Sequence, residues 1–188
     1  KPLLKHVVDN LKKNSKLDRI IIATTTSVED DRLQEYCESE GLLYYRGAEN
    51  EVLNRFLGAS RMYGSERFLR VCSDNPFIDN ELMTEQIEAF SSEFDYCSFY
   101  TRSDEPLIVK PIGFFVEGLT RRALEIAAVE GVKDHRTQEH VTYYIHSHPN
   151  KFRIKKLLLP EFINPDLRFT IDYPEDMAIA ESILSKLN

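Results

Sequence analysis

The sequence lacks most of the marks that would narrow its chemistry at once. Its three cysteines, Cys37, Cys72 and Cys97, are odd in number, far apart and without a CxxC pair. That excludes a disulfide framework and a zinc ribbon, and it points to a reducing, cytoplasmic setting. No apolar run nears the ~18–20 residues of a membrane span, and no secretory signal pattern is present. Positive charge is scarce: 24 Lys and Arg against 31 Asp and Glu leave a net charge of −7, without the basic footprint of a general nucleic-acid binder. GxSxG, GxGxxG and GxxxxGK[ST] do not occur, so serine-hydrolase, dinucleotide and P-loop readings lose their main support. Repeats and low-complexity tracts are absent too.

What remains is an ordinary globular composition, 42% hydrophobic and 29% charged over 188 residues, the size of one domain (1–188) that buries its own core. Leu3, Leu4, Val7, Val8 and Leu11 recur at helical spacing. Arg19–Thr24 is a short continuous apolar run, the mark of a strand covered on both faces. A helix over 28–40 stopped by Gly41, a strand at Leu42–Tyr45, a helix from Val52 ended near Gly64, a strand at Arg67–Cys72 and a helix carrying Leu82, Met83, Ile87 and Phe90 follow. This alternation predicts an α/β fold, a mostly parallel sheet with helices on both faces. Right-handed crossovers then call for a strand ahead of the 3–13 helix. The chain opens at Lys1-Pro2 directly into that helix, so the first strand is expected to be missing. Beyond residue 93 the rhythm changes. Strands are expected at Phe94–Tyr100, Leu107–Val116, Phe152–Leu159 and Leu167–Ile171, and helices at Leu119–Glu130, 138–147 and Pro174–Leu187.

Two acids stand at expected strand ends. Asp74 follows Arg70–Ser73 and precedes Asn75-Pro76, and Asp172 follows Leu167–Ile171 and precedes a Pro-led helix. Ligands of open α/β sheets bind outside the carboxyl ends of strands, and Mg²⁺ takes one or two carboxylates plus substrate phosphates. Each acid equally suits a turn or a helix cap; two on one rim could share a metal. Arg46, beside Gly47, and Asn54-Arg55 could reach phosphate or base, or pair with Glu49 and Glu51. Gly113 and Glu117 sit in an apolar run, where Glu117 faces either a polar substrate or solvent. In His135–His140 the HxxxEH spacing is one residue too long for an inverted zincin, and 135 and 140 do not share a helix face. Capping or substrate contact suits Glu139 and His140 better.

The ordered set YYRGAENEVLNRF, RVCSDNPFID, QEHVTYYI and RFTIDYPEDM resembles the cytidylyltransferases of spore-coat polysaccharide biosynthesis, relatives of the 3-deoxy-manno-octulosonate and acylneuraminate cytidylyltransferases. The resemblance spans essentially the whole chain. It implies a Rossmann-like nucleotide-diphospho-sugar transferase fold and transfer of CMP from CTP to a sugar acid, with Mg²⁺ and release of pyrophosphate. By the same resemblance Asp74 and Asp172 are the metal-binding, catalytic acids. Lys1, Arg46, Asn54, Arg55 and Ser73 lie on the nucleotide side, and Gly113, Glu117, Glu139 and His140 on the sugar side. Asn54 stands where the sugar-acid enzymes carry Asp. The family begins with a strand and a glycine-, serine- and arginine-containing phosphate loop; Lys1–Leu4 match the residues just after it. A sugar 1-phosphate transferase using another nucleoside triphosphate, or a non-catalytic relative, are the alternatives. A homodimer is expected through 94–118 and 137–168, whose aromatics (Phe94, Tyr96, Phe99, Tyr100, Phe114, Phe115, Tyr143, Tyr144) suit an interface core.

Overall fold

Helix α1 (Leu3–Leu11) turns Val7, Val8 and Leu11 inward, three apolar residues at helical spacing. It opens the computed structural model, which describes residues 2–187. Strand β1 (Ile21–Thr25) runs parallel to β2 (Leu43–Gly47), with Ile21 opposite Leu43 and Thr25 opposite Gly47. Between them a 3₁₀ turn at Val28–Asp30 leads into α2 (Asp31–Ser39). Helix α3 (Val52–Met62) follows, then β3 (Arg67–Arg70) and α4 (Asn80–Ala89). Gly41 and Gly64, just past α2 and α3, both have φ +64°, the left-handed conformation in which glycine ends a helix without steric cost. Asp79 caps α4, its Oδ1 accepting from the N–H groups of Glu81 and Leu82 at 2.9 Å each.

The second half adds β4 (Tyr96–Tyr100), β5 (Glu117–Thr120), α5 (Arg121–Glu130), α6 (His135–Glu139), α7 (Tyr143–Ser147), β6 (Ile154–Leu158) and α8 (Pro174–Leu187). Four strands form one sheet in the order β3-β5-β4-β6; β5 is antiparallel to both neighbours, and β4 and β6 are parallel. One face of the sheet packs Leu53 and Leu57 of α3 and Leu124 and Ala127 of α5 with Tyr96 and Leu119. On the other, Val7 and Leu11 of α1 and Met83 of α4 meet Leu69 and Val71. Helices therefore cover both faces. Among the described residues no helix is long and apolar enough to cross a membrane.

Three expected elements differ. Leu107–Val116 is not a strand: a 3₁₀ turn occupies Leu107–Val109, and the chain passes through Gly113 at φ +78° before pairing begins at Glu117. Pro106 and Pro111 offer no N–H to a ladder, and Leu107, Ile112 and Phe115 are buried against Leu82 and Phe99 instead. Leu167–Ile171 lies outside any sheet: the N–H groups of Phe169 and Thr170 go to the Pro111 carbonyl and that of Ile171 to the Asp74 carbonyl. Residues 138–147 break at His140, whose φ and ψ are −107° and 91°, into α6 and α7. The expected interface aromatics are mostly core: Tyr96, Phe99, Tyr100, Phe115 and Tyr144 are all buried within this chain. Apolar periodicity marks burial, not the partner that provides it.

The strand expected ahead of α1 lies outside the described residues. Among the described residues β1 and β3 are not ladder neighbours, and a slot of about 1020 Å³ lies between them. Its walls are the facing edges of the two strands together with Val7 and Leu11 of α1, Phe56 and Ala59 of α3 and Met83 of α4.

Candidate active site

The mouth of this slot is the rim at the carboxyl ends of β1 and β3, lined by Thr24, Thr25, Asp30, Arg55, Ser73 and Asp74. Asp74 sits four residues past the end of β3, half-buried, and its Oδ1 is buried without a hydrogen-bond partner. Burial, reinforced by the nearby Asp172 carboxylate, raises its pKa above the ordinary Asp value.

Asp172 is brought to Asp74 by the backbone. The Ile171 N–H donates to the Asp74 carbonyl at 2.9 Å. One turn earlier, the N–H groups of Phe169 and Thr170 both donate to the Pro111 carbonyl, at 2.9 and 3.3 Å. Gly113 is the floor of that contact: a Cβ there would lie 2.9 Å from the Phe169 carbonyl carbon and 3.1 Å from the Thr170 nitrogen. The hydrogen bonds that leave 167–171 outside a sheet are thus the ones that place the second acid beside the first. The Asp172 carboxylate accepts from Thr170 Oγ1 at 3.0 Å and Arg168 Nη2 at 2.8 Å, both on Oδ2. Arg168 also forks onto Asp176, Nη1 to Oδ1 and Nη2 to Oδ2 at 3.0 Å each. Asp176 accepts from the N–H groups of Asp172 and Tyr173 at the start of α8, and Arg168 together with these bonds pushes its pKa down to about 2.

The first-half residues divide. Arg55 lines the slot mouth; its Nη1 donates to the Ala48 and Glu49 carbonyls at 2.9 Å, and its Nε is buried without a partner. Ser73 is exposed on the rim. Asn54, beside Arg55 in α3, points to solvent and donates to Glu51. Arg46 has its guanidinium committed inside the protein: Nε to the Thr25 carbonyl, Nη2 to that of Ser27, and Nη1 to Gln34 and Asp31, all within 2.8 Å. It ties the β1–α2 connection together. Lys1 lies outside the described residues.

The sugar-side residues do not form one cluster. Glu117 is fully buried in the sheet, paired with Arg70 Nη1 at 2.6 Å and accepting from the Tyr96 hydroxyl. The solvated face, one of the two surroundings expected for it, is not what it has: Arg70 and Tyr96 enclose its carboxylate. Burial and this carboxylate hold the Tyr96 pKa well above its ordinary value. Glu139 and His140 are exposed at the end of α6, Glu139 lying 3.6 Å from His135. Gly113 acts on the Asp172 segment. Arg168, Thr170 and Asp176 carry the geometry around Asp172 yet were not singled out from sequence; the spacing of an Arg four and eight residues before two acids was the available signal. Asp30 is a further such residue: its Oδ2 takes the hydroxyls of Thr24 and Thr25 at 2.7 and 2.6 Å and the Thr25 N–H at 3.0 Å. Those bonds lower its pKa.

A mixed α/β sheet with two acids on its rim, an arginine across the slot mouth and helices on both faces is the architecture of a nucleotidyltransferase. The solved structures it matches share that fold. A cytidylyltransferase from Leptospira borgpetersenii superposes with a TM-score of 0.86 at 22% identity, covering 99% of this chain and 76% of that one. CMP:2-keto-3-deoxy-manno-octonic acid synthetase complexed with CTP gives 0.72 at 9% identity, covering 100% and 89%. The cytidylyltransferase family model matches residues 1–187, and the chain belongs to that family, whose general reaction uses CTP. It is 37% identical over 179 residues to an uncharacterized protein of Methanocaldococcus jannaschii (94% of this chain, 70% of that protein). It is 34% identical over 171 residues to the spore coat polysaccharide biosynthesis protein SpsF of Bacillus subtilis (90% and 68%).

Proposed function

We propose that this cytidylyltransferase transfers CMP from CTP to a sugar acid, releasing pyrophosphate, in polysaccharide or glycoconjugate biosynthesis. The observation that carries the reading is the Asp74–Asp172 pair, joined through the Ile171–Asp74 bond, with an orphaned buried oxygen on Asp74. An unpaired carboxylate oxygen beside a second acid is a cation site in waiting. Among the described residues no group of three or more His, Cys, Asp or Glu side chains converges on a metal position; Mg²⁺ needs one or two carboxylates, with waters and phosphate oxygens completing its shell. Asp74 and Asp172 would hold it. When bound, it supplies charge neutralisation to the phosphates. The protein's own share is positioning: Arg55 across the slot mouth offers its free Nε to a nucleotide, and Asp30 fixes the β1 terminus against which that nucleotide lies. The likeness to SpsF supports the pathway class.

The reading includes a cytoplasmic protein acting as a homodimer. For the dimer, Leu158 and Phe162 are 62% and 84% exposed and supply apolar surface within 137–168. Light scattering at working concentration measures it, and a monomer mass refutes it. The reaction is tested by pyrophosphate release with CTP, UTP, GTP and ATP against a panel of sugar acids and sugar 1-phosphates. Turnover with CTP and a sugar acid, abolished in Asp74→Asn, is expected. Preference for a sugar 1-phosphate, or for another triphosphate, refutes it.

A further inference from the structure

We infer that Arg168 restricts Asp172 to one-oxygen ligation and thereby biases the rim toward Mg²⁺ over Ca²⁺. The inference rests on the metal reading of Asp74 and Asp172 and adds a positioning residue to it.

The two oxygens of Asp172 are unequal. Oδ2 accepts from Arg168 Nη2 at 2.8 Å and from Thr170 Oγ1 at 3.0 Å. Oδ1 accepts no hydrogen bond among the described residues. The guanidinium that holds Oδ2 is itself held, because its fork to Asp176 has both arms at 3.0 Å. Asp176 in turn is anchored by the N–H groups of Asp172 and Tyr173, again at 3.0 Å. The result is a closed ring: Asp172 backbone to Asp176, Asp176 to Arg168, Arg168 to the Asp172 side chain. An isolated exposed ion pair would be soft, but a planar, two-armed guanidinium in a ring of this kind fixes direction as well as charge.

Direction matters because the two common divalent cations differ in what they ask of a carboxylate. Mg²⁺ demands a tight octahedron, keeps its waters and is bound through one or two carboxylates together with phosphate oxygens; Ca²⁺ takes more oxygens in looser geometry and accepts a carboxylate through both. With Oδ2 committed to two donors, Asp172 has a single oxygen to give. That arrangement serves Mg²⁺ and deprives Ca²⁺ of a ligand.

Charge and ligation can be separated by experiment. Removing the Arg168 cation makes the rim more negative and strengthens both cations, but they carry the same charge, so the Coulomb gain largely cancels in their affinity ratio. The ligation effect does not cancel. The test is Mn²⁺ binding followed by the signal of free Mn²⁺, with CTP but no sugar acceptor so that nothing turns over, read against a CTP-only blank, with Mg²⁺ and Ca²⁺ as competitors. Arg168→Met, which keeps length and removes every donor, is expected to shift the competition in favour of Ca²⁺ by about tenfold, the lower end of what losing a partner of a ligating group does to metal affinity. Arg168→Lys, which keeps the cation but cannot hold Asp176 with two arms and Asp172 at once, is expected to shift it less and in the same direction, and it carries the test if Arg168→Met fails to fold. An unchanged ratio in a folded variant that still binds Mn²⁺ overturns the role of Arg168 alone. Wild-type protein that binds no more Mn²⁺ than Asp74→Asn overturns the metal reading, and this inference with it.

Discussion

Replacing Asp74 with Asn should make the metal-free protein more stable while removing its activity. The Asp74 carboxylate is half-buried, its Oδ1 has no partner, and a second acid lies beside it. Its pKa is raised, so in the absence of a cation the charged form is held at a cost near neutral pH. The sign follows from linkage: an acid whose folded pKa lies above its unfolded value binds protons more tightly in the native state. Its unfavourable contribution is present above the folded pKa and fades as pH falls toward the unfolded value. An amide keeps the shape and the unpartnered atom but not the charge, so what Asp74→Asn removes is the burial of that charge and its repulsion from Asp172, on the order of 1 kcal/mol for a half-exposed group. For a chain of this size that corresponds to a rise of about 2–4 °C in Tm. Divalent cation should reverse the order. At ten times its dissociation constant, Mg²⁺ stabilises the wild type by about 1.4 kcal/mol and leaves Asp74→Asn unaffected. Thermal melts of both proteins with EDTA and with Mg²⁺, at pH 7.5, give the four numbers needed. A variant that melts below the wild type in EDTA would refute the claim that Asp74 is held at a cost, and equal Mg²⁺ shifts would refute its role as a ligand.

Three further outcomes follow from the same geometry. Gly113→Ala places a Cβ 2.9 Å from the Phe169 backbone at φ +78°, so it should cost about 1–3 kcal/mol and lower turnover by displacing Asp172; unchanged turnover would remove Gly113 from the positioning of that acid. Glu117→Gln strands the Arg70 guanidinium in the sheet and should cost about 3 kcal/mol by urea melt, whereas an unaltered melt with a raised KM for the sugar would return Glu117 to the substrate. Because the pKa of Asp176 is pushed down to about 2, its native-state contribution is present above the ordinary Asp value and is lost as pH falls from about 4 toward 2. In Asp176→Asn the stability lost between those pH values should shrink, and an identical acid limb in the two proteins would contradict the Arg168–Asp176 ring.

The first half of the fold was legible because every element there carries one period and ends on a marker: the apolar run at Ile21–Thr25, the amphipathic α1, Gly41 and Gly64 past their helices. The second half hides its pairing. Leu107, Ile112 and Phe115 are as apolar as a strand yet are buried without a ladder, and Leu119 lies on β5 because Phe68 of β3 and Tyr96 of β4 offer antiparallel partners on its two sides. Tertiary hydrogen bonds decide such segments, and no local pattern encodes them. The candidate site divides likewise. Asp74 and Asp172 could be named because each follows a strand-like run and precedes a proline-bearing turn. The partners of Arg46 were not legible, because an arginine beside a glycine reads the same whether its guanidinium faces a ligand or, as here, the carbonyls of Thr25 and Ser27. Those of Glu117 were not legible because Arg70 is 47 residues away.

The three backbone bonds that carry residues 169–171 also decide how the rim comes apart. The N–H groups of Phe169 and Thr170 go to the Pro111 carbonyl and that of Ile171 to the Asp74 carbonyl, and none of the three belongs to a sheet ladder. A segment held this way opens locally, below the energy of global unfolding, whereas all five residues of β4 are buried in the sheet. Amide exchange would register the difference, with Ile171 losing protection while Tyr96–Tyr100 persists. The second acid can therefore part from the first without the sheet unfolding, and a ligand that bridges the two can be read in the protection of the Ile171 amide.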